Sequence, residues 1–489
     1  LLSRSCVSAL LIATALAGCQ NPANAPGAAR AETVSARPAD LIADSSVSTH
    51  VTDLGGGEFD VRYVFETPQD VMFFSRSETD YRREAWQPTS EGVRLERIAG
   101  FDTLVFDTPT QEARFRVTAR PDLRYEGYSD YIQFSDGSLM LFTGQFELLP
   151  GGSVEAVAAL EGDINRFEGD QPVLGVRVLS PTPMIVRGER VEGEAVEISR
   201  GGGGFIYIGD GEISASDNYV GLIDPATPDW IRARFPDDLA SLFSELERGW
   251  GYGLDDKATL LFAFEGYDNP GFSNKGGVLG RQLVIQSSGE RLRDPDDFVH
   301  DYLLWFFAHE SVHLFQNVRG PHLDSPQDSW IHEGAANAMA NRIMAGLERP
   351  AIAYLRYSFA NAYSTCTEAL AAGPLRTATQ RGQMRAHYAC GEFIALMTDA
   401  ALPDHTLFDF WNAMLERAQA ADGEYNLETY MATARALGMR EADAARIEAF
   451  VTQGFDQPDR ELTSALEDFG LNPQFDDNLQ LIGLTYPTE

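Results

Sequence analysis

Between about residue 46 and residue 225, hydrophobic and polar positions alternate with the period of a β-strand. The runs 59–65, 113–119 and 173–178 show it most cleanly, and glycine clusters at 55–57, 151–152 and 201–204 punctuate them as turns. The four glycines at 201–204 lack the Gly-Lys-Ser/Thr ending of a phosphate loop, so they read as another turn. Beyond 226 the spacing becomes helical, first at 229–235 and then at 239–250. A strand is expected at 258–264 and an edge strand at 277–286. After those the chain reads as almost wholly helical, including 408–418, 427–437 and 442–452. The pattern predicts an α+β protein: a β-rich domain over 46–225, sandwich-like or saddle-like, then a mainly helical domain over 226–475 carrying a small mixed sheet. Residues 476–489 are expected to form a tail.

The N-terminus changes the picture. Arg4 precedes an apolar stretch at 7–17 that is too short to span a bilayer, as in a secretory signal. Leu16, Ala17, Gly18 and Cys19 then resemble a bacterial lipobox, which implies removal of residues 1–18 and lipidation of Cys19. Residues 19–45, small and proline-containing, read as a flexible tether. The expected location is the cell envelope, on the periplasmic face of the outer membrane, because Gln20 rather than aspartate follows the cysteine.

Charge narrows the partners. With 38 Lys and Arg against 73 Asp and Glu, the net charge of −35 argues against nucleic acid, whose phosphates require a basic surface. Of the four cysteines, Cys6 leaves with the signal and Cys19 is taken by lipid. Cys366 and Cys390 remain as a disulfide candidate in an oxidising compartment.

The candidate chemistry lies at His309-Glu310-Ser311-Val312-His313, within an apolar run beginning at Tyr302. Two histidines four apart share one face of a helix, so both imidazoles reach a single metal ion. The glutamate between them is placed to take a proton from a water at that metal. A catalytic zinc site usually takes three protein ligands. The segment 330–339 offers Glu333 as the third, with His322 and His332 as weaker alternatives; Arg319 stands where a nearer third histidine would fall.

His-Glu-x-x-His followed by Trp330-x-x-Glu333-Gly334-x-Ala336 resembles the gluzincin metallopeptidases, in particular the aminopeptidase-N-like and glycyl-aminopeptidase-like groups. The spacing between His313 and Glu333 is one residue longer than is usual there, which the loop at 320–326 absorbs. The resemblance implies a thermolysin-like catalytic domain behind a β-rich one, zinc held by His309, His313 and Glu333, and Glu310 as general base. Tyr388, in a Tyr-x-x-Gly segment ending at Gly391, would stabilise the oxyanion. Gly276, Gly277 and Val278 fall on the strand that would pair with substrate backbone, but Leu279 occupies the place of the family's amine-binding glutamate. That departure leaves aminopeptidase and endopeptidase action both open.

These features predict a membrane-anchored zinc metallopeptidase acting on a peptide or protein. The competing expectation is a catalytically silent envelope binding or scaffold lipoprotein on the same fold. The intact set of His309, Glu310, His313 and Glu333 favours the enzyme.

Overall fold

The computed structural model describes residues 46–77, 79–122, 129–169, 173–199, 202–421 and 423–485. The signal segment, Cys19 and the tether lie outside the described residues.

The alternating half forms an eleven-stranded sheet. Strand β1 (Val47–Gly55) runs antiparallel to β2 (Glu58–Phe74), which in turn pairs with β3 (Phe101–Thr118). On its other side β1 runs parallel to β4 (Leu174–Val186). The register sets Val51 opposite Val61 and Val178, and all three are buried. Along β2 every second residue from Phe59 to Phe65 is buried, and the intervening Asp60 and Arg62 stay partly exposed. One face therefore packs and the other meets water, as the sequence period requires.

A second sheet of five strands begins earlier than the sequence pattern indicates. β5 (Ile213–Ala215) and β6 (Tyr219–Ile223) fall in the stretch expected to belong to the β-rich domain. They pair instead with each other and with β7 (Ala258–Phe264), parallel to β6. β7 is buried at every position. Leu260, Phe262 and Phe264 face the helices, while Leu261 and Ala263 pack with Ile132, Met140 and Phe205 of the first sheet. Burial on both faces explains why this strand is a continuous apolar run.

The edge strand expected at 277–286 is a hairpin. β8 (Ser273–Leu279) lies at the sheet edge and turns at Gly280, φ 59°, into β9 (Gln282–Ser288), which runs parallel to β7. Gly276 sits so close to β9 that a Cβ would lie 2.2 Å from the Val284 carbonyl oxygen, so packing alone requires glycine there. Leu279 is buried in the apolar cluster between the two sheets.

Five long helices cover the second sheet and build the site: α1 (Asp229–Trp250), α2 (Asp297–Asn317), α3 (Trp330–Gly346), α4 (Ile352–Ala372) and α5 (Arg385–Ala400). The two helical stretches expected at 229–250 are one continuous helix that carries Pro236 inside it. The 476–489 segment is not merely a tail: Leu481–Thr485 pairs with Asn472–Phe475, and Leu481 is buried. Among the described residues no helix is long and apolar enough to cross a membrane.

Candidate metal centre

Helix α2 is buried from Val299 to Gln316, a burial that its near-uniform apolar sequence permits. Asp296 caps it, accepting from the backbone N–H groups of Phe298 and Val299. Phe307, on the side away from the centre, packs edge-on against Phe235 of α1 with ring centroids 5.3 Å apart. That packing fixes the rotation of α2 and with it the direction of His309 and His313.

Helix α3 brings Glu333 to the same point. Its start is held by the buried carboxylate of Asp328, which accepts two hydrogen bonds from Arg376 at 3.0 Å. Helix α5 then crosses α3 with no side chain between them at the crossing. A Cβ on Gly334 would lie 2.1 Å from the Gly391 backbone, and one on Gly391 would lie 2.3 Å from the Trp330 carbonyl oxygen. The crossing sets Tyr388, three residues before Gly391, beside the first histidine: the His309 and Tyr388 rings stack with centroids 5.8 Å apart. A disulfide joins Cys366 on α4 to Cys390 on α5. Closing a loop of 24 residues contributes about 3 kcal/mol by restricting the unfolded chain.

The three candidate ligands converge. His309 Nε2 and His313 Nε2 are 3.2 Å apart, and Glu333 Oε2 lies 3.4 Å and 3.2 Å from them. Zinc bonds of about 2.0–2.1 Å at a tetrahedral angle separate their ligand atoms by about 3.3–3.4 Å. The triangle therefore has the dimensions of one face of a zinc tetrahedron. Glu333 Oε2 is also buried without a hydrogen-bond partner, as expected of an atom whose partner is a metal. These residues fit a zinc ion on geometry and on donor chemistry.

The surroundings prepare them. The His313 Nδ1–H donates to Gln316 Oε1 at 2.7 Å, which turns the Nε2 lone pair toward the centre. Gln316 is itself anchored to the His332 carbonyl oxygen at 3.3 Å. Without metal, burial would lower the His313 pKa, but the charge of Glu333 outweighs it and raises the imidazole to about 9. Burial likewise pushes Glu333 upward, yet the neighbouring imidazoles of His313 and His332 hold it well below the usual carboxylate range. Metal uptake must therefore displace a proton from this cluster.

Of the weaker alternatives, His322 pairs with Glu424 at 3.3 Å, outside the triad. His332 faces the other carboxylate oxygen, Glu333 Oε1, at 3.4 Å. It supports the triad rather than joining it. Glu310 is buried within the same helix, and its charge acts on His313.

Sequence reasoning missed Gln316, Asn337 and Glu392. Each stands one helical turn beyond a motif residue: Gln316 after His313, Asn337 after Glu333, Glu392 after Tyr388. Spacings of three and four along a helix were the available signal.

No family model matches the sequence, and no curated protein matches it. Solved structures do match. An aminopeptidase N family protein from Idiomarina loihiensis superposes with a TM-score of 0.63 at 13% identity, over 88% of this chain and 80% of its own. Leukotriene A4 hydrolase from Saccharomyces cerevisiae gives 0.49 at 11% identity, over 84% of this chain and 68% of its own. Its bestatin complex gives 0.47 at 10% identity. The chain is an α+β protein, a β-rich N-terminal domain followed by a helical one, with the fold of that aminopeptidase N family protein.

Proposed function

We propose that this protein is a zinc metallopeptidase. The observation that carries the reading is the buried triangle of His309, His313 and Glu333, whose edges match a zinc coordination face on a fold shared with an aminopeptidase N family protein. Those three residues would hold the ion, which when bound polarises a carbonyl and acidifies a water. Glu310, between the two histidines, accepts the proton of the attacking water and delivers it to the departing amine. The Tyr388 phenol donates a hydrogen bond to the oxygen that gains negative charge in the transition state. The outer edge of β8, at Gly276, Gly277 and Val278, pairs with an extended substrate backbone by strand addition.

The mature chain, on this reading, begins at a lipidated Cys19 and stands on a membrane by its tether. The lipobox-like Leu16 to Cys19 supports that placement. Radiolabelled palmitate should enter the full-length protein and not its Cys19→Ala variant.

Mass spectrometry of a peptide mixture tests the activity. The zinc-loaded protein should cleave it, and Glu310→Gln, with its zinc content unchanged, should lose about 10²–10⁴-fold of the rate. Single-residue trimming would identify an aminopeptidase, and internal cuts an endopeptidase. Full zinc content with no cleavage of any peptide would favour the scaffold role instead. The loss of the amine-binding glutamate at Leu279 is the one observation on that side.

A further inference from the structure

A cavity of about 70 Å³ opens beside the metal triad between α2, α3, α4 and α5. That volume takes several waters or the end of one long side chain. His309 and Tyr388 form part of its wall, so whatever enters it is within reach of the centre. One wall is aromatic: Tyr354 packs against Trp305 at 5.4 Å and Tyr302 at 5.5 Å between ring centroids, while Ser358, Asn361 and Thr365 add polar groups.

Deep in the same cavity the chemistry changes. The Glu392 carboxyl is fully buried. Its Oε1 accepts from Asn341 Nδ2 at 2.7 Å, and its Oε2 from Asn337 Nδ2 at 3.3 Å. Asn341 is fixed in turn by the Trp305 indole N–H, which donates to its Oδ1 at 2.7 Å. The acid thus meets neutral amides rather than a cation. Burial pushes it up to about 8 despite those two bonds. Asn337 Oδ1, in a side chain more than nine-tenths buried, has no hydrogen-bond partner among the described residues. Among the described residues, a carboxyl held only by amides and an acceptor without a donor share one small chamber. Both await a ligand that donates hydrogen bonds and carries positive charge.

We propose that this cavity recognises a basic side chain of the peptide substrate, lysine or arginine, whose cation meets Glu392 and Asn337 Oδ1 while its methylenes lie against Trp305 and Tyr354. The proposal rests on the peptidase reading and names its preferred substrate. Aromatic faces favour a cation, and aliphatic stems cover apolar walls. A neutral chain of equal length would leave Asn337 Oδ1 without a donor and the buried acid without a countercharge, which is how buried polar sites discriminate. An acidic chain would meet Glu392. The exposed Arg385 at the mouth does not reverse this, because water screens it and not the buried acid.

The test uses fluorogenic peptides identical except at the residues flanking the cut, with lysine, arginine, norleucine or glutamate on each side in turn. The zinc-loaded chain should cleave the basic peptides with kcat/KM at least about tenfold above norleucine on one side, with glutamate poorest. Glu392→Gln should bring that ratio close to one. Equal cleavage of lysine and norleucine peptides, or a ratio that survives Glu392→Gln, overturns the pocket and leaves the peptidase standing. If the wild type cleaves nothing, the peptidase reading fails separately and binding decides the pocket. Argininamide should then raise the melting temperature of the metal-free protein more than citrullinamide at equal concentration, and equal shifts overturn the proposal. These wild-type comparisons decide the matter even if the variant does not fold.

Discussion

On one side of the centre, His309, His313, Glu333 and Tyr388 come from three helices held by packing and a glycine crossing, and a disulfide ties one of the three, α5, to α4. On the other side, β8 is a single sheet edge, and Leu279 turns away from any ligand into the apolar cluster between the sheets. In sequence the first side resembles the gluzincin pattern. The second does not. The difference teaches that the part of the site that would do chemistry and the part that would choose a substrate rest on different supports. One includes a helix crossing where two backbones touch, and the other turns on the side chain at 279, which can be exchanged.

The largest effect expected is on the rigid side. Glu333→Gln keeps the shape but removes the charge that draws the metal, so zinc content by mass spectrometry should fall from one equivalent to well below it. Peptide cleavage should fall with it by more than about 10³-fold. Tyr388→Phe should keep its zinc and lose roughly 10²–10³-fold in kcat with KM little changed. A loss carried by KM would mean that the phenol binds substrate rather than the transition state.

One further variant probes the exchangeable side. Leu279→Glu, which places a carboxylate where the resembled gluzincins carry one, should not create amine recognition. It buries a carboxylate among Ile132, Phe134 and Val284 and should cost about 2–4 kcal/mol in chemical denaturation. A stable variant with new aminopeptidase activity would show that the strand faces the substrate as it does in the family.

The smallest effect is a pH dependence. In the unliganded fold Glu392 is raised from 4.5 to about 8, so its neutral form is favoured by folding. Stability from this group is whole below about pH 4.5 and is lost as pH rises through 8, where a charge must be buried. Glu392→Gln cannot ionise. Its melting temperature relative to wild type should therefore climb between pH 5 and pH 9, by the equivalent of roughly 2–4 kcal/mol. A flat difference would mean that the cavity already solvates the acid.

Much of this was legible in the sequence. The alternation of β2 follows from a period that burial imposes directly, α2 was marked by its continuous apolar run, and the two histidines four apart needed only helix geometry. The errors fell where tertiary partners decide. β5 and β6 look like any other alternating strands, and only their pairing with β7 assigns them to the second sheet. The hairpin at Gly280 was hidden because its turn is short and apolar residues flank it closely, with Val278 and Leu279 before it and Leu283 and Val284 after. The helical spacing at 229–235 and 239–250 left a gap at Pro236 that one continuous helix fills. Glu392 could not be distinguished from a solvent-facing glutamate, since nothing local reveals that α3 and α4 close over it.

The crossing of α3 and α5 at Gly334 and Gly391 bears on descent. Where side chains separate two helices, each can be replaced in turn, and over long times the record of common origin is rewritten. Where two backbones touch, there is nothing to replace. A lineage can renew almost every position around such a point and still place its carboxylate and its phenol as before.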